Sequence, residues 1–139
     1  MLILMIATSC ERNANVNLGC KYRLINSASF RDLTIIKEHN IVVIDGHILD
    51  YSFDSIFILV AQCPRDSISG IETMTQQKYQ EAFEQNTFRQ YWIIDKEKKS
   101  IFDEKKRIYS NVYGPYNMDG YITKKKELGV RDNLRLKTE

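Results

Sequence analysis

The tightest grouping of residues that could bind a metal or move a proton is Asp45, His47 and Asp50, with His39 just upstream. Asp45 is better explained by a turn, and residues three apart on a strand, as His47 and Asp50 would be, point to opposite faces. Two histidines with no Cys or His at ligand spacing make a poor zinc set. The chain carries no Gly-x-Ser-x-Gly, and no nucleophile is tied to a base by position. It also lacks a glycine-rich phosphate loop and a dinucleotide fingerprint. Eighteen acidic residues leave room for a catalytic carboxylate pair, but nothing singles one out. No catalytic residue, metal or cofactor is therefore expected.

Residues suited to binding stand out more. Tyr109, Tyr113 and Tyr116 lie around a Gly-Pro turn, close to Lys105, Lys106 and Arg107. A tyrosine offers a broad apolar face with a polar tip, which suits a sugar or a protein surface. The plainer alternative is that Tyr113 and Tyr116 pack the last helix onto the sheet. Charge is also unevenly placed: seven basic and ten acidic residues through Phe88, thirteen and eight from Arg89 on. The basic clusters are Lys96–Lys99, Lys105–Arg107 and Lys124–Lys126, each with Asp or Glu beside it. Solvated turns explain such clusters most simply; phosphates of lipid head groups or surface glycolipid are the sharper reading. Nucleic acid is not an expected partner.

Leu2–Cys10 (LILMIATSC) is a short apolar run closed by small residues and a cysteine. It is too short to span a bilayer core of about 30 Å, and its small residues suit a signal peptidase. Ala7-Thr8-Ser9-Cys10 resembles the lipobox of bacterial lipoproteins, with Ser before Cys as in Bacteroides-type bacteria. That resemblance implies lipidation of Cys10, on its thiol and on the amine freed by removal of residues 1–9. Residues 10–17 would be a tether and 18–139 a single domain. No Lys or Arg precedes the run, so a start upstream of Met1 and a buried N-terminal strand both stay open. With Cys10 lipidated, Cys20 and Cys63 are left as a pair. They either bridge, closing a loop valued at about 4 kcal/mol, or remain buried thiols.

The elements needed to hold any site follow from pattern. Cys20–Ile25 alternates, with Tyr22 and Leu24 on one side, as a half-buried strand does. Asn26–Phe30 is turn chemistry and Leu33–Lys37 a second short strand. Ile41–Ile44 and Ile48–Phe53 flank Asp45-Gly46, which predicts a type I′ hairpin pairing Ile44 with His47. Ile56–Cys63 is apolar on both faces, as is Tyr91–Ile94; the two should lie side by side at the heart of the sheet. Between them, Ser69-Gly-Ile-Glu72 matches a capping box, and Ile71, Met74, Lys78, Tyr79, Ala82 and Phe83 follow at helical spacing. Ser100–Asp103 and Arg107–Val112 read as edge pieces. Asn117 caps a last helix, Met118–Leu128, which presents Met118, Tyr121, Ile122, the Lys125 stem and Leu128, and which Gly129 ends. Val130–Leu136 reads as an extended tail.

Taken with the lipobox, the Tyr91-Trp-Ile-Ile-Asp95 strand, the Tyr113-Gly-Pro-Tyr116 turn and the Lys125-Lys-Glu-Leu-Gly-Val130 helix end resemble small uncharacterised lipoproteins of Bacteroides-type bacteria. The resemblance implies an envelope lipoprotein and carries over no catalytic residue. The expected fold is α+β: a mainly antiparallel, meander-like sheet of six or seven strands, one inserted helix and one C-terminal helix. The expected function is a non-enzymatic domain of the binding or immunity type, held to the membrane through Cys10 and facing a protein or glycan partner. The alternative is a small envelope hydrolase. A binding domain should show an apolar patch rimmed by charge, whereas a concave pocket with convergent polar groups and a perturbed His or carboxylate would favour the enzyme.

Overall fold

The computed structural model describes residues 15–26 and 32–139. Cys10, its leader and residues 27–30 of the expected turn lie outside the described residues. Among the described residues ten strands and two α-helices follow in the order β1 (Asn15–Gly19), β2 (Tyr22–Asn26), β3 (Leu33–Lys37), β4 (Ile41–Ile44), β5 (Ile48–Phe53), β6 (Phe57–Gln62), α1 (Gln76–Gln85), β7 (Gln90–Asp95), β8 (Phe102–Asp103), β9 (Ile108–Tyr109), β10 (Val112–Tyr116) and α2 (Met118–Leu128). The α+β class holds, but the strands divide into two four-stranded antiparallel sheets, β1-β2-β3-β4 and β10-β7-β6-β5, plus the two-stranded ribbon β8-β9.

β6 shows why. Ile58 and Val60 point into a core shared with Leu18, Leu24, Ile35 and Ile44 of the first sheet. Phe57, Leu59 and Ala61 point the other way, into a core closed by Tyr121 of α2 and by Val130, Leu134 and Leu136. A strand with two apolar faces needs cover on both, and here one cover is a sheet and the other a helix with its tail. β7 lies beside it, Ile58 opposite Ile94 and Leu59 opposite Ile93, as the two apolar runs require.

Four expectations are corrected. Residues 15–17, expected in the tether, belong to the sheet, because Asn15–Gly19 is a strand paired with β2 and Leu18 is fully buried. Asp45-Gly46 does not close a hairpin: β4 pairs with β3 while His47 exchanges backbone bonds with Cys63, at 3.1 and 3.0 Å. The chain crosses from one sheet to the other here, so Ile44 and Ile48 reach the shared core from opposite sides. The capping box forms no helix start either. Gly70, at φ 70°, opens a single 3-10 turn over Ile71–Thr73, and the helix begins later, where Thr75 Oγ1 accepts from Lys78 N. The tail after Gly129 is not extended cover but core, with Val130, Leu134 and Leu136 buried.

α2 matches expectation at both ends. Asn117 Oδ1 accepts from Gly120 N at 2.8 Å, and Gly129 takes the left-handed conformation, φ 73°. Val130 N then bonds Lys125 O and Gly129 N bonds Lys126 O, closing the last turn. Among the described residues no helix is long and apolar enough to cross a membrane.

The strands run between two ends of the sandwich. At one end sit the β1–β2 turn, the β5–β6 turn and the segment from Lys96 to Asn111. Lys96 joins them, its buried ammonium donating to the carbonyls of Leu18 and Asp54. At the other end lie Asn15, the start of β3, the crossing at Asp45–His47 and the end of β6.

Candidate functional site

That second end gathers the polar residues that converge most closely. Asp32 immediately precedes β3, His47 precedes β5, Arg65 follows β6, and Tyr79 and Phe83 face inward from α1. Because β3, β5 and β6 all start or finish here, residues far apart in sequence meet. Asp32 is almost wholly buried. Its Oδ2 accepts from Tyr79 Oη and from Arg65 Nε, the latter at 2.6 Å. Arg65 Nε also lies 2.9 Å from Tyr79 Oη, and its Nη1 reaches Asp45 Oδ2 at 3.3 Å.

His47 completes the group without joining its hydrogen bonds. Its Nδ1 is buried, 3.4 Å from Asp32 Oδ1, and makes no well-formed hydrogen bond in this arrangement. The imidazole stacks on Phe83, ring centres 4.5 Å apart, and Phe83 meets Tyr79 edge-on at 5.0 Å. With Leu49, Glu84 and Arg89, these rings line a cleft of about 410 Å³.

Electrostatics follow from this geometry. Burial alone would push the Asp32 carboxyl up, but its contacts with His47, Tyr79 and Arg65 outweigh it and hold the group below the usual carboxylate range. Burial and the Asp32 charge both push the Tyr79 hydroxyl up, so it stays protonated and donates. The cluster is also held from behind. Gln62 Nε2 donates to Asp45 O at 2.7 Å, while Gln62 Oε1 accepts from Gln90 Nε2 and Trp92 Nε1 at 2.8 and 2.7 Å. Gly46 touches the cluster directly: a Cβ placed there would lie 2.5 Å from Asp32 Cβ. The glycine is required by close approach and not by a left-handed turn.

The residues marked by the sequence are distributed otherwise. Of the Asp-His grouping, His47 lines the cleft and Asp45 meets the cluster through Arg65. Asp50 instead accepts from Lys137 N, and His39 sits in the β3–β4 turn at the far end of the sandwich. Among the described residues no three His, Cys, Asp or Glu side chains group as metal ligands. Cys20 and Cys63 are both free thiols. Cys20 is exposed in the β1–β2 turn, and Cys63 is buried at the opposite end with Ile71, Tyr79 and Phe83. A strand's length separates the two ends, so the bridge is not made.

The tyrosines split between faces. Tyr109 packs against the core between the sheets and against Phe102, with Lys37 Nζ 3.5 Å from its ring centre. Tyr113 and Tyr116 pack on the α2 side, as the plainer alternative had it. Lys98 Nζ donates to Tyr113 Oη at 3.0 Å, and Lys124 lies over the same ring. Lys105, Lys106 and Arg107 are exposed at the β8–β9 turn, on the ribbon that carries Tyr109.

Asp32, Arg65 and Tyr79 carried no signal of their own in the sequence. Asp32 and Arg65 fall between the predicted elements, and Tyr79 reads as part of the helical apolar stripe. The cleft holds convergent polar groups and a perturbed carboxylate, the outcome set out above as favouring an enzyme, and the expectation of a domain without such a pocket is corrected.

The fold and site define a small α+β domain, two stacked antiparallel sheets and a covering helix, with an acid-paired cleft at one end. The chain belongs to a family described as "Protein of unknown function (DUF3997)", whose model matches residues 21–139. No curated protein and no solved structure matches it.

Proposed function

We propose that the chain is an envelope lipoprotein, anchored through Cys10, whose domain binds a partner or ligand at this cleft. The observation that carries the binding half is how the cleft's carboxylate is held: Asp32 Oδ2 accepts from both Arg65 Nε and Tyr79 Oη, the kind of paired network that also serves structure alone. Nearby nucleophiles are engaged elsewhere: Cys63 is buried, and Ser67 Oγ donates to Pro64 O at 2.6 Å. What the cleft offers is a concave surface with the rings of His47, Tyr79 and Phe83 and the charges of Glu84 and Arg89, which suits binding.

One observation favours the hydrolase instead. His47 turns Nδ1 toward buried Asp32 while the rest of its side chain is part exposed, the relation a carboxylate has to a general base. Turnover of generic nitrophenyl acetate, phosphate and anilide substrates by the purified chain and by His47→Ala separates the readings. Binding alone gives no turnover that depends on His47. Turnover lost in a folded His47→Ala protein installs the hydrolase.

A further inference from the structure

The rim of the cleft carries polar groups that the Asp32 network leaves unused, and His47 joins the two. Its Nδ1 is buried and faces Asp32 Oδ1 at 3.4 Å, while the side chain as a whole keeps 28% of its surface exposed. Asp32 is ionised, and an ionised carboxylate only accepts. The nitrogen that faces it therefore carries a proton, and in the neutral ring the lone pair is then on Nε2, for the cleft that His47 lines. α1 adds two more groups. Tyr79 and Phe83 are its buried side chains, and Gln80 and Glu84, each one residue further on, are exposed. Residues four apart share a side of a helix, and all four line the cleft. Arg89, ahead of β7, donates from Nη1 to Asn86 O and Phe88 O, both at 2.8 Å. Those bonds fix the guanidinium and leave its other N–H groups as donors.

Together these groups select one class of ligand. Asp32 is balanced in sign by Arg65, and Glu84 by Arg89. An anion entering the cleft meets Glu84 and a cation meets Arg89, whereas a neutral molecule is opposed by neither. Acceptors at His47 Nε2 and Glu84, a donor at Arg89 and an amide at Gln80 that does both stand beside the apolar surface of Leu49 and the His47 and Phe83 rings. A hydroxyl also donates and accepts, so a ring bearing several hydroxyls around an apolar face uses all of these at once. The volume of about 410 Å³ is near the lower end for small-molecule sites, which suits a short saccharide. We propose that the cleft binds a neutral saccharide, with His47 Nε2 accepting from one hydroxyl and Gln80, Glu84 and Arg89 sharing the others. Asp32 is a positioning residue that fixes the imidazole for this contact. The inference rests on the binding reading of the cleft given above and narrows it to a class of ligand.

The test uses the full chain and two readouts. The first is a printed panel of neutral, acidic and amino saccharides, with each bound saccharide then titrated in solution. Neutral members should bind, and affinity should fall about tenfold in His47→Phe, which keeps a ring against Phe83 but removes both nitrogens. Lys105→Glu, at the other end of the sandwich, should leave it unchanged. Circular dichroism checks that each variant folds. The second readout is long-range proton–nitrogen NMR of the isotope-labelled chain, which reports where the His47 proton sits. It should sit on Nδ1 in the wild type and shift toward Nε2 in Asp32→Asn, a change that loss of packing alone does not produce. A proton on Nε2 in the wild type overturns the proposal. So does preference for acidic or amino saccharides, or binding that ignores His47→Phe. A blank panel overturns the saccharide and leaves the wider binding reading in place, whereas His47-dependent turnover of the nitrophenyl substrates removes both.

Discussion

Asp32 shows how one buried charge can organise an end of a small domain. Its carboxylate holds Arg65, Tyr79 and, at longer range, His47, so removing the charge strands a guanidinium in a mostly buried place. Asp32→Asn should cost about 3 kcal/mol in urea unfolding at neutral pH. The pH dependence has a definite sign. Because the folded protein holds Asp32 below its ordinary value, its contribution is fully present above the unfolded value, about 3.9, and is lost as pH falls through the folded one. The gap between wild type and Asp32→Asn should therefore be widest near neutrality and close below about pH 4. A stability gap that stays constant into that acid range would show that Asp32 is not ionised in the folded protein. Gly46→Ala tests the same cluster sterically: the added Cβ at 2.5 Å from Asp32 Cβ has no room, and a loss of about 2 kcal/mol is expected. A neutral Gly46→Ala would mean that the crossing loop yields.

At the scale of elements, α2 and the residues after it act as one piece. Lys125 Nζ, buried, bonds Glu139 Oε1 at 2.6 Å and Leu134 O at 2.9 Å, while Glu139 Oε2 accepts from Tyr121 Oη and Leu136 N, each at 2.7 Å. The ammonium was expected to lie outside with only its stem covered; the tail folds over it instead. In a double-mutant cycle Lys125→Met and Glu139→Gln should couple by about 2 kcal/mol, whereas additive effects would deny that the ion pair pins the tail. α1 packs through Tyr79 and Phe83 into a small separate cluster with Cys63 and Ile71, apart from the two main cores. Its amides should exchange with solvent well before those of β6 and β7. How far each element could be read from sequence follows the same division. α2 was legible because Asn117 and Gly129 set its ends by local chemistry. The crossing at Asp45-Gly46 was not, because the glycine answers to Asp32, a contact between segments distant along the chain, and the same dipeptide also serves a hairpin. α1 was legible in its stripe but not in its start, where Gly70 and Thr73 close a separate turn.

Across the whole molecule, the strand runs bring the cleft and the start of β1 to one end and the β8–β9 ribbon to the other. The β6–β7 heart was readable because two apolar runs must be covered on both faces. The division into two sheets and the meeting of Asp32 with Tyr79, 47 residues apart, were not, since no local pattern records which strand ends coincide. The anchor proposed at Cys10 is what would tie this domain to a membrane. Metabolic labelling with a fatty acid, comparing the full chain with Cys10→Ala in a bacterial host, tests this most directly. Label should appear on the wild-type chain, which should partition with membranes, and should be absent from Cys10→Ala. Equal label on both, or none on either, would contradict the lipid anchor.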